Sequence, residues 1–295
     1  MELARNPMLD LAIAKEKKAN SPWARFKRNK AALFGMCIVI IVCILAVFAP
    51  MIAPFDPNAM NLAAICQKPG TAGHLLGTDE FGRDLLSRII YGSKISLIVG
   101  LLATGMGAFI GILLGLLSGY HEGMLDSIIM RIIDGMFAFP FVLLSIVLMT
   151  ALGSGLHNVV LAIGIANIPG YARIVRGQVL IVKREEYCEA VRSLGASDFC
   201  LILHHILPNI LSPVIVYASL NIAGAIISEA ALSFLGLGIQ PPVASWGNIL
   251  RTGKDYLLTA PHISTYSGLA ILLTVLGFNL FGDGVRDALD PKLKR

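Results

Sequence analysis

Residues 95–120 read ISLIVGLLATGMGAFIGILLGLLSGY, a stretch of 26 residues without a charged side chain. A helix of about 20 mostly apolar residues crosses the hydrocarbon core of a bilayer. This stretch therefore predicts a membrane-spanning helix, and it decides the fold class of the whole chain. We expect an all-α integral membrane protein.

The overall composition favours the same class and excludes an ordinary soluble protein. Of the 295 residues, 56% are hydrophobic and 15% are charged, and the mean hydropathy is +0.74. Soluble domains carry about 25% charged residues. The net charge of +5 is therefore interpreted from the side of the membrane on which the basic residues lie. No nucleic-acid partner is expected.

The remaining spans follow from four further stretches that lack charged residues: Ala31–Phe55, Gly135–Ala172, Phe199–Ser228 and Tyr256–Gly282. The stretch from Gly135 covers 38 residues, which is too long for one span. Leu152-Gly153-Ser154-Gly155 predicts a tight turn within it. The sequence thus predicts six spans, at residues 32–52, 95–119, 132–152, 156–175, 211–236 and 265–282.

The basic residues predict the orientation of these spans. Six spans place both termini and residues 120–131 and 173–210 on one side, together with 18 of the 24 Lys and Arg. The positive-inside rule makes this side cytoplasmic. The first span is longer than the apolar region of a signal peptide, so we expect it to stay uncleaved.

The N-terminal segment, residues 1–31, is polar and basic. Trp23 and Phe26 lie among four basic residues, which is typical of a segment on the membrane surface. A disordered basic tail is the alternative.

Small residues recur at every fourth position of the second predicted span: Ala103, Gly107, Gly111, Gly115 and Gly119. They line one helix face and predict a seam where another helix approaches closely. The seam is interpreted either as static packing or as the border of a moving interface.

Two prolines lie inside predicted spans, Pro140 in the third and Pro169 in the fourth. Each removes a backbone hydrogen bond, so we expect kinks there unless neighbouring groups compensate.

Three polar residues within the spans are candidates for lining a transport pathway. Glu229 is the strongest, because a carboxylate in hydrocarbon is costly and must face protein or water. Asn221 and Asn279 are weaker candidates of the same kind. The alternative for Glu229 is a structural acid that is hydrogen-bonded, or one near the outer interface.

The segment between the fourth and fifth spans predicts a helix, a break and a second helix. The first helix is amphipathic, with apolar residues at i, i+3, i+4 and i+7: Tyr187, Ala190, Val191 and Leu194. Gly195 can end this helix with a positive φ, and Ser197 or Asp198 can cap the next one. A short helix with an exposed apolar stripe requires a partner groove.

Within this segment the chain resembles the membrane permease subunits of ATP-binding-cassette (ABC) importers. The family motif is E-A-A, three residues, G, nine residues, I-x-L-P, and it is matched at Glu189, Ala190, Gly195, Leu207 and Pro208. Val191 replaces the second alanine, and His205 stands where the general motif has isoleucine. The form His-Ile-Leu-Pro-Asn resembles the importers of the peptide type.

Four further blocks extend the resemblance over nearly the whole chain, to the C-type permease subunit of dipeptide, oligopeptide and nickel importers. They lie at residues 76–84, 171–177, 232–238 and 282–291. One departure is Tyr266-Ser267 before the sixth span, where that helix could start differently. The resemblance implies the type I ABC importer permease fold and a bacterial or archaeal plasma (inner) membrane. It also implies a coupling helix, within a coupling segment at residues 185–209, that contacts the ATPase.

The resemblance also implies the division of labour and the partners. No Walker A motif is present, since Gly253-Lys254 is followed by Asp255 and lacks the upstream glycine. We therefore expect a transport subunit, not an enzyme, with ATP and Mg²⁺ held by partner subunits and no cofactor on this chain. The implied partners are a second, B-type permease subunit, two ATP-binding subunits, an extracytoplasmic binding protein and the lipid bilayer.

Before the second span, Gly77-Thr78-Asp79 can cap a helix that continues into it, with Glu80, Arg83 and Asp84 at the outer surface. The alternative role for Thr78, Asp79, Arg83 and Asp84 is docking of the binding protein. A calcium site at the acids, with His74 nearby, lacks the spacing of a calcium loop, and no metal is expected.

Four regions are thus predicted: residues 1–31 as the N-terminal segment, 32–94 as the first span and outer loop, 95–283 as the permease domain, and 284–295 as the C-terminal tail. In the tail block, Asp283, Arg286, Asp287 and Asp290 alternate in charge on a helix that Pro291 would end.

The expected function is uptake of di- or oligopeptides, with nickel, glutathione or another small solute as alternatives. An ion-coupled secondary transporter that uses Glu229 and a scaffold protein are the alternatives from other classes.

Overall fold

A computed structural model describes residues 21–289 of the chain, and this part contains helices and connecting loops but no β-strand. The twelve α-helices are α1 (Pro22–Arg28), α2 (Lys30–Val47), α3 (Ala49–Ile52), α4 (Leu85–His121), α5 (Gly123–Phe137), α6 (Phe141–Leu152), α7 (Leu156–Val182), α8 (Glu186–Ser193), α9 (Asp198–Cys200), α10 (Leu207–Phe234), α11 (Trp246–Gly253) and α12 (Pro261–Leu289). A π-helical turn at Leu201–Ile206 joins α9 to α10, and short 3₁₀ helices lie at Leu62–Ala64 and Lys254–Tyr256.

Within residues 21–289, five helical segments are long and apolar enough to cross a membrane, and a bent pair provides a sixth crossing if it is counted as one span. The five are α2, α4, α7, the continuous segment Asp198–Phe234 and α12. The all-helical fold class is confirmed.

The predicted third span at residues 132–152 is broken, and the kink expected at Pro140 is present. Helices α5 and α6 meet at 91°, and the break lies at residues 138–140. Pro140 has an extended backbone, with ψ at 136°, and precedes the first residue of α6. Proline has no amide hydrogen, and its ring disfavours the helical conformation in the residue before it, so the break falls here.

Pro169, by contrast, lies inside α7, which runs without interruption from Leu156 to Val182. The turn predicted at residues 152–155 is present, because α6 ends at Leu152 and α7 begins at Leu156. Gly153 and Gly155 both have positive φ, at 84° and 136°, which residues with a side chain rarely adopt.

The predicted small-residue seam lies between α4 and α7. A Cβ atom built at Gly111 would lie 2.9 Å from the carbonyl oxygen of Ile168, and one at Gly115 would lie 2.7 Å from that of Ala172. Such distances leave no room for a side chain. The glycines therefore permit the two backbones to approach directly.

Helix α12 forms the other side of the bundle and packs against α2 and α10. It begins at Pro261, four residues before the predicted start of the sixth span. Phe26 of α1 is buried and contacts Phe281 of α12 edge to face, with 5.7 Å between ring centroids. Trp23 is 56% exposed, so α1 keeps one aromatic ring at the surface. The alternative of a disordered tail concerns mainly residues 1–20, which lie outside the described part.

Candidate functional site

The coupling segment forms the predicted helix, break and second helix. Helix α8 ends at Ser193, and Gly195, two residues further on, has φ of +85°. The Gly195 amide donates to the Arg192 carbonyl oxygen at 3.0 Å, and the Ala196 amide donates to that of Val191 at 3.3 Å. This pair of bonds is a Schellman motif, which requires a left-handed residue at the position of Gly195.

The side chains of α8 divide differently from the predicted stripe. Cys188 is the buried residue and lies in an apolar cluster with Tyr120 and Ile206. Leu194 is 88% exposed and Tyr187 is 41% exposed. Helix α8 is therefore anchored through Cys188, and its other apolar side chains are uncovered. These side chains can be buried only by contact with another molecule.

The positions of the motif residues agree with this division. Glu189 and Ala190 are exposed on the uncovered side of α8, and Val191 is half-buried. The Ser193 hydroxyl donates to the carbonyl oxygen of Glu189 at 2.9 Å and thus stabilises the last turn.

A hydrogen-bond network joins α8 to the end of α4, and no local sequence pattern indicates it. The Arg192 guanidinium donates to the Tyr120 hydroxyl oxygen at 3.1 Å, and that hydroxyl donates to Asp198. The bond to Tyr120 raises the pKa of Arg192. Lys183 donates to the Tyr120 carbonyl oxygen and to Glu122, both at 2.7 Å. Tyr120 thus links both helices of the coupling segment to the second span.

The return from the coupling segment begins at Ser197, whose hydroxyl accepts from the Cys200 amide at 3.3 Å and caps α9 as predicted. The π-helical turn contains His205, whose carbonyl oxygen accepts from the Asn209 side chain at 2.6 Å. Leu207 packs at the edge of the same apolar cluster as Cys188, and Pro208 occupies the first turn of α10. Proline has no amide hydrogen, and the regular hydrogen bonding of the helix is interrupted here by the π-helical turn that ends at Ile206.

The outer segment, residues 54–94, differs from the prediction in where its helix begins. Helix α4 starts at Leu85, and its cap is Asp84, which accepts from the Ser87 amide at 2.7 Å. Thr78 is buried in the loop, where its hydroxyl donates to the Ala64 carbonyl oxygen and accepts from the Gln67 amide. Tertiary contacts of Thr78 thus replace the capping role that local sequence suggested.

Arg83 and Asp84, which were predicted at the outer surface, are buried instead. Asp79 contacts Arg83 at 2.7 Å and Arg88 at 3.2 Å, and all three residues are no more than 3% exposed. Glu80 accepts from Arg83 at 2.9 Å, and burial raises the pKa of Glu80, with Asp79 contributing in the same direction. This cluster of ion pairs stiffens the loop from within, because each buried charge needs its partner.

The three candidate pathway residues lie in different environments. Glu229 is fully buried, and its carboxylate accepts from Ser233 at 2.8 Å and from Ser96 at 3.3 Å. Asn221 lines a cavity beside the α5–α6 break, and Asn279 is exposed on α12.

The C-terminal block is described as far as Leu289. Asp287 accepts from the Asn29 side chain at 3.0 Å, which joins α12 to the start of α2. Asp290 and Pro291 lie outside the described residues.

The structure is a bundle of membrane-spanning helices. Between two of the spans it carries a short anchored helix with uncovered apolar side chains. This arrangement defines a class of protein, the type I ABC importer permease. Solved structures share this architecture. The inward-facing MetNI methionine ABC transporter matches 70% of this chain and 98% of its own chain with a TM-score of 0.57 at 17% identity. An amino acid ABC transporter matches with a TM-score of 0.53 at 15% identity, over 68% of this chain and 94% of its own.

The sequence comparisons give the family. Residues 111–295 match the family described as the binding-protein-dependent transport system inner membrane component, and residues 21–69 match the N-terminal TM domain of oligopeptide transport permease C. The chain belongs to this family of ABC importer permeases, and it is a transport subunit rather than an enzyme.

Two curated relatives support this membership. Glutathione transport system permease protein GsiD of Pectobacterium atrosepticum is 45% identical over 289 residues, 96% of each chain. GsiD of Escherichia coli O6:K15:H31 is 45% identical over 273 residues, 92% of this chain and 90% of its own.

Proposed function

We propose that this chain is one of two permease subunits in an importer of small peptides, with glutathione as the first candidate substrate. The second, B-type permease supplies the other wall of the pathway, two ATP-binding subunits bind the coupling segment, and an extracytoplasmic protein delivers the substrate. Both termini lie in the cytoplasm.

The observation that carries the proposal is the uncovered apolar surface of α8 on an anchored helix. Leu194 and Tyr187 project from a helix that Cys188 fixes to the bundle. Cys188 and the bond from Arg192 to Tyr120 fix one side of α8 against the bundle, so the other side stays uncovered. The arrangement suits insertion into a groove of a protein partner.

The same contacts suggest how ATP drives transport. When the ATPase pair closes on ATP, a helix seated in its groove moves with it. Tyr120 transfers that displacement to α4, and the close α4–α7 seam carries it into the spans. ATP can shift the equilibrium between inward-open and outward-open states only because its affinity for the two states differs. The closed ATPase pair provides this difference in affinity.

The substrate proposal depends on the relatives. Two proteins named for glutathione transport are 45% identical over nine-tenths or more of both chains. Glutathione is itself a tripeptide, so these names agree with the peptide-type motif of the coupling segment. Nickel complexes and other small solutes are the competing substrates.

Purification tests the assembly. A tagged chain extracted from its native membrane should co-purify with a second multi-span permease and an ATPase pair. Transport by the purified chain in vesicles without any ATPase would contradict the proposal and favour the ion-coupled transporter. If the chain co-purifies with no ATPase and its deletion leaves uptake unchanged, the alternative of a scaffold protein is favoured.

The substrate is tested with the binding protein that stimulates ATP hydrolysis by the reconstituted complex. We expect it to bind glutathione or another di- or tripeptide, measured by calorimetry. A binding protein that takes a nickel complex and no peptide would contradict the substrate proposal while leaving the permease assignment intact.

A further inference from the structure

Two cavities lie one after the other along α10. The first, of about 370 Å³, is near the end of α12 and is lined by Pro213, Val216, Tyr217 and Leu220, with Arg286 from α12. The second, of about 230 Å³, lies beside the α5–α6 break and includes Tyr217, Asn221, Gly224 and Ser228 among its lining residues. Tyr217 belongs to both, so the cavities are neighbours that one side chain separates.

The α10 residues that line the cavities share one helix face. Pro213, Tyr217, Leu220, Asn221, Gly224 and Ser228 follow each other at intervals of one, three or four residues. On an α-helix these intervals place the six residues within a sector of about 100° around the helix axis. The face forms a single strip from the first turns of α10 to the last third of the helix.

The second cavity combines apolar side chains, such as Phe137 and Phe141, with a few polar ones that suit water or a polar solute. Asn167 and Asn221 come from α7 and α10, and Ser228 adds a hydroxyl. The amide nitrogen of Asn167 is buried and has no hydrogen-bond partner among the described residues. Asn221 donates to the Tyr217 carbonyl oxygen at 2.8 Å, and no described group donates to its side-chain oxygen. Unpaired amides are costly against lipid, so this wall borders an aqueous path.

The α5–α6 break opens this wall. Phe137 is the last residue of α5 and Phe141 is the first of α6, and both line the second cavity. A straight helix through residues 138–140 would run on past this position. The proline break therefore leaves space beside Asn167 and Asn221.

Tyr217 is held in place between the cavities. Its ring contacts Tyr171 edge to face, with 4.8 Å between centroids. A Cβ atom built at Gly170 would lie 3.1 Å from Cζ of Tyr217. The absence of a side chain at Gly170 thus allows the ring to occupy the boundary between the cavities.

We propose that this strip of α10 is the present chain's half of the substrate path, with Asn221 and Ser228 as the peptide-contacting groups, the buried Asn167 of α7 beside them, and Tyr217 as the constriction between an outer and an inner chamber. Side-chain amides donate and accept hydrogen bonds, and so match the amide groups of a peptide backbone. Arg286 is the one charged side chain among the lining residues, and it attracts the carboxylate of a peptide that leaves the inner chamber. The inference rests on the proposed function as an importer permease.

Cysteine accessibility tests the path in the assembled complex. In a background that keeps the buried Cys188 and has the other four native cysteines replaced, Val216→Cys, Asn221→Cys and Ser228→Cys are treated with a membrane-impermeant charged thiosulfonate. The matched controls are Ile215→Cys and Ile227→Cys, which are 48% and 49% exposed on α10 and line neither cavity. Thiosulfonates react with the thiolate form, which requires water.

We expect the path cysteines to react at least tenfold faster than the controls, and excess glutathione or dipeptide to slow Asn221→Cys and Ser228→Cys. Equal reactivity of path and control cysteines would overturn the proposal. ATP-dependent uptake by the parent that keeps only Cys188 is measured in parallel, because its loss would count against the proposed function and not against the path.

Tyr217→Ala, in the native cysteine background, tests the constriction independently. Removal of the ring should raise uptake of bulky tripeptides relative to dialanine several-fold. An unchanged size preference in a variant that still assembles with its ATPase would show that Tyr217 is not the constriction.

Discussion

Gly195 is the single residue on which the shape of the coupling segment most depends. Its φ of +85° costs a residue with a side chain about 1–2 kcal/mol, and no atom lies within 4 Å of a Cβ built there. A substitution therefore acts through the backbone turn and through whatever partner covers the segment, and not through crowding within the chain.

Gly195→Leu should lower uptake per ATP hydrolysed several-fold in proteoliposomes, because α8 changes its angle to the ATPase. Gly177→Leu is the matched control, since Gly177 also has open space around it but has no positive φ. Coupling that is equal to wild type in Gly195→Leu, at equal membrane levels, would contradict the role of the turn.

Tyr120 offers a second test at this scale, because its hydroxyl joins Arg192 to Asp198. Tyr120→Phe keeps the ring in the apolar cluster and removes only these bonds, which are worth about 1–3 kcal/mol when charged groups take part. We expect ATP hydrolysis to continue with reduced uptake.

The matched control is Tyr171→Phe, which removes a buried hydroxyl without a partner among residues 21–289 and should leave coupling unchanged. If both variants transport normally, Tyr120 does not transmit movement.

The sequence predicted that Gly195 ends the coupling helix and that Leu194 belongs to its apolar stripe, because a helix stop and an amphipathic stripe are local patterns. It did not predict Cys188 as the anchor or Tyr120 as the link, because both depend on contacts between distant segments. It also placed the cap of α4 at Gly77-Thr78-Asp79 rather than Asp84. Several residues near a helix start can cap it, and the contacts of Thr78 with Ala64 and Gln67 decide among them.

At the scale of elements, the third predicted span shows that an apolar stretch predicts membrane location but not helix direction. Absence of charge predicts that residues 135–152 lie in the membrane, but it does not determine the direction of the helix. Pro140 marked the position of a kink, and the structure turns there by 91°. Pro169 produced no interruption, although local sequence treats the two prolines alike.

The α4–α7 seam gives a prediction at the same scale. Gly111→Leu should destabilise the protein by about 1–3 kcal/mol, because the added side chain meets the backbone of α7. Thermal unfolding in detergent, followed by fluorescence, measures the effect.

Gly105→Leu on the same helix is the matched control, since no atom lies within 4 Å of a Cβ at that position. Equal melting temperatures for the two variants would indicate that the seam does not require glycine.

At the scale of the whole molecule, the two ends of the bundle are built differently. The outer segment is stiffened by buried ion pairs among Asp79, Arg83 and Arg88. The opposite end carries α8, which is anchored at one residue and uncovered along one side. The first arrangement suits a fixed surface, and the second suits a contact with a moving partner.

The central claim is that α8 is the contact with the ATPase, and crosslinking tests it most directly. Leu194→Cys, in the background that keeps only the buried Cys188, is treated with a short bismaleimide in native membranes. Met124→Cys, which replaces a similarly exposed residue at the start of α5, controls for reagent access.

We predict that Leu194→Cys forms a crosslinked product that mass spectrometry identifies as this chain joined to an ATP-binding subunit, with a yield that changes when ATP is added. Efficient labelling of Leu194→Cys without any crosslink to an ATPase, in membranes where the two proteins co-purify, would contradict the account.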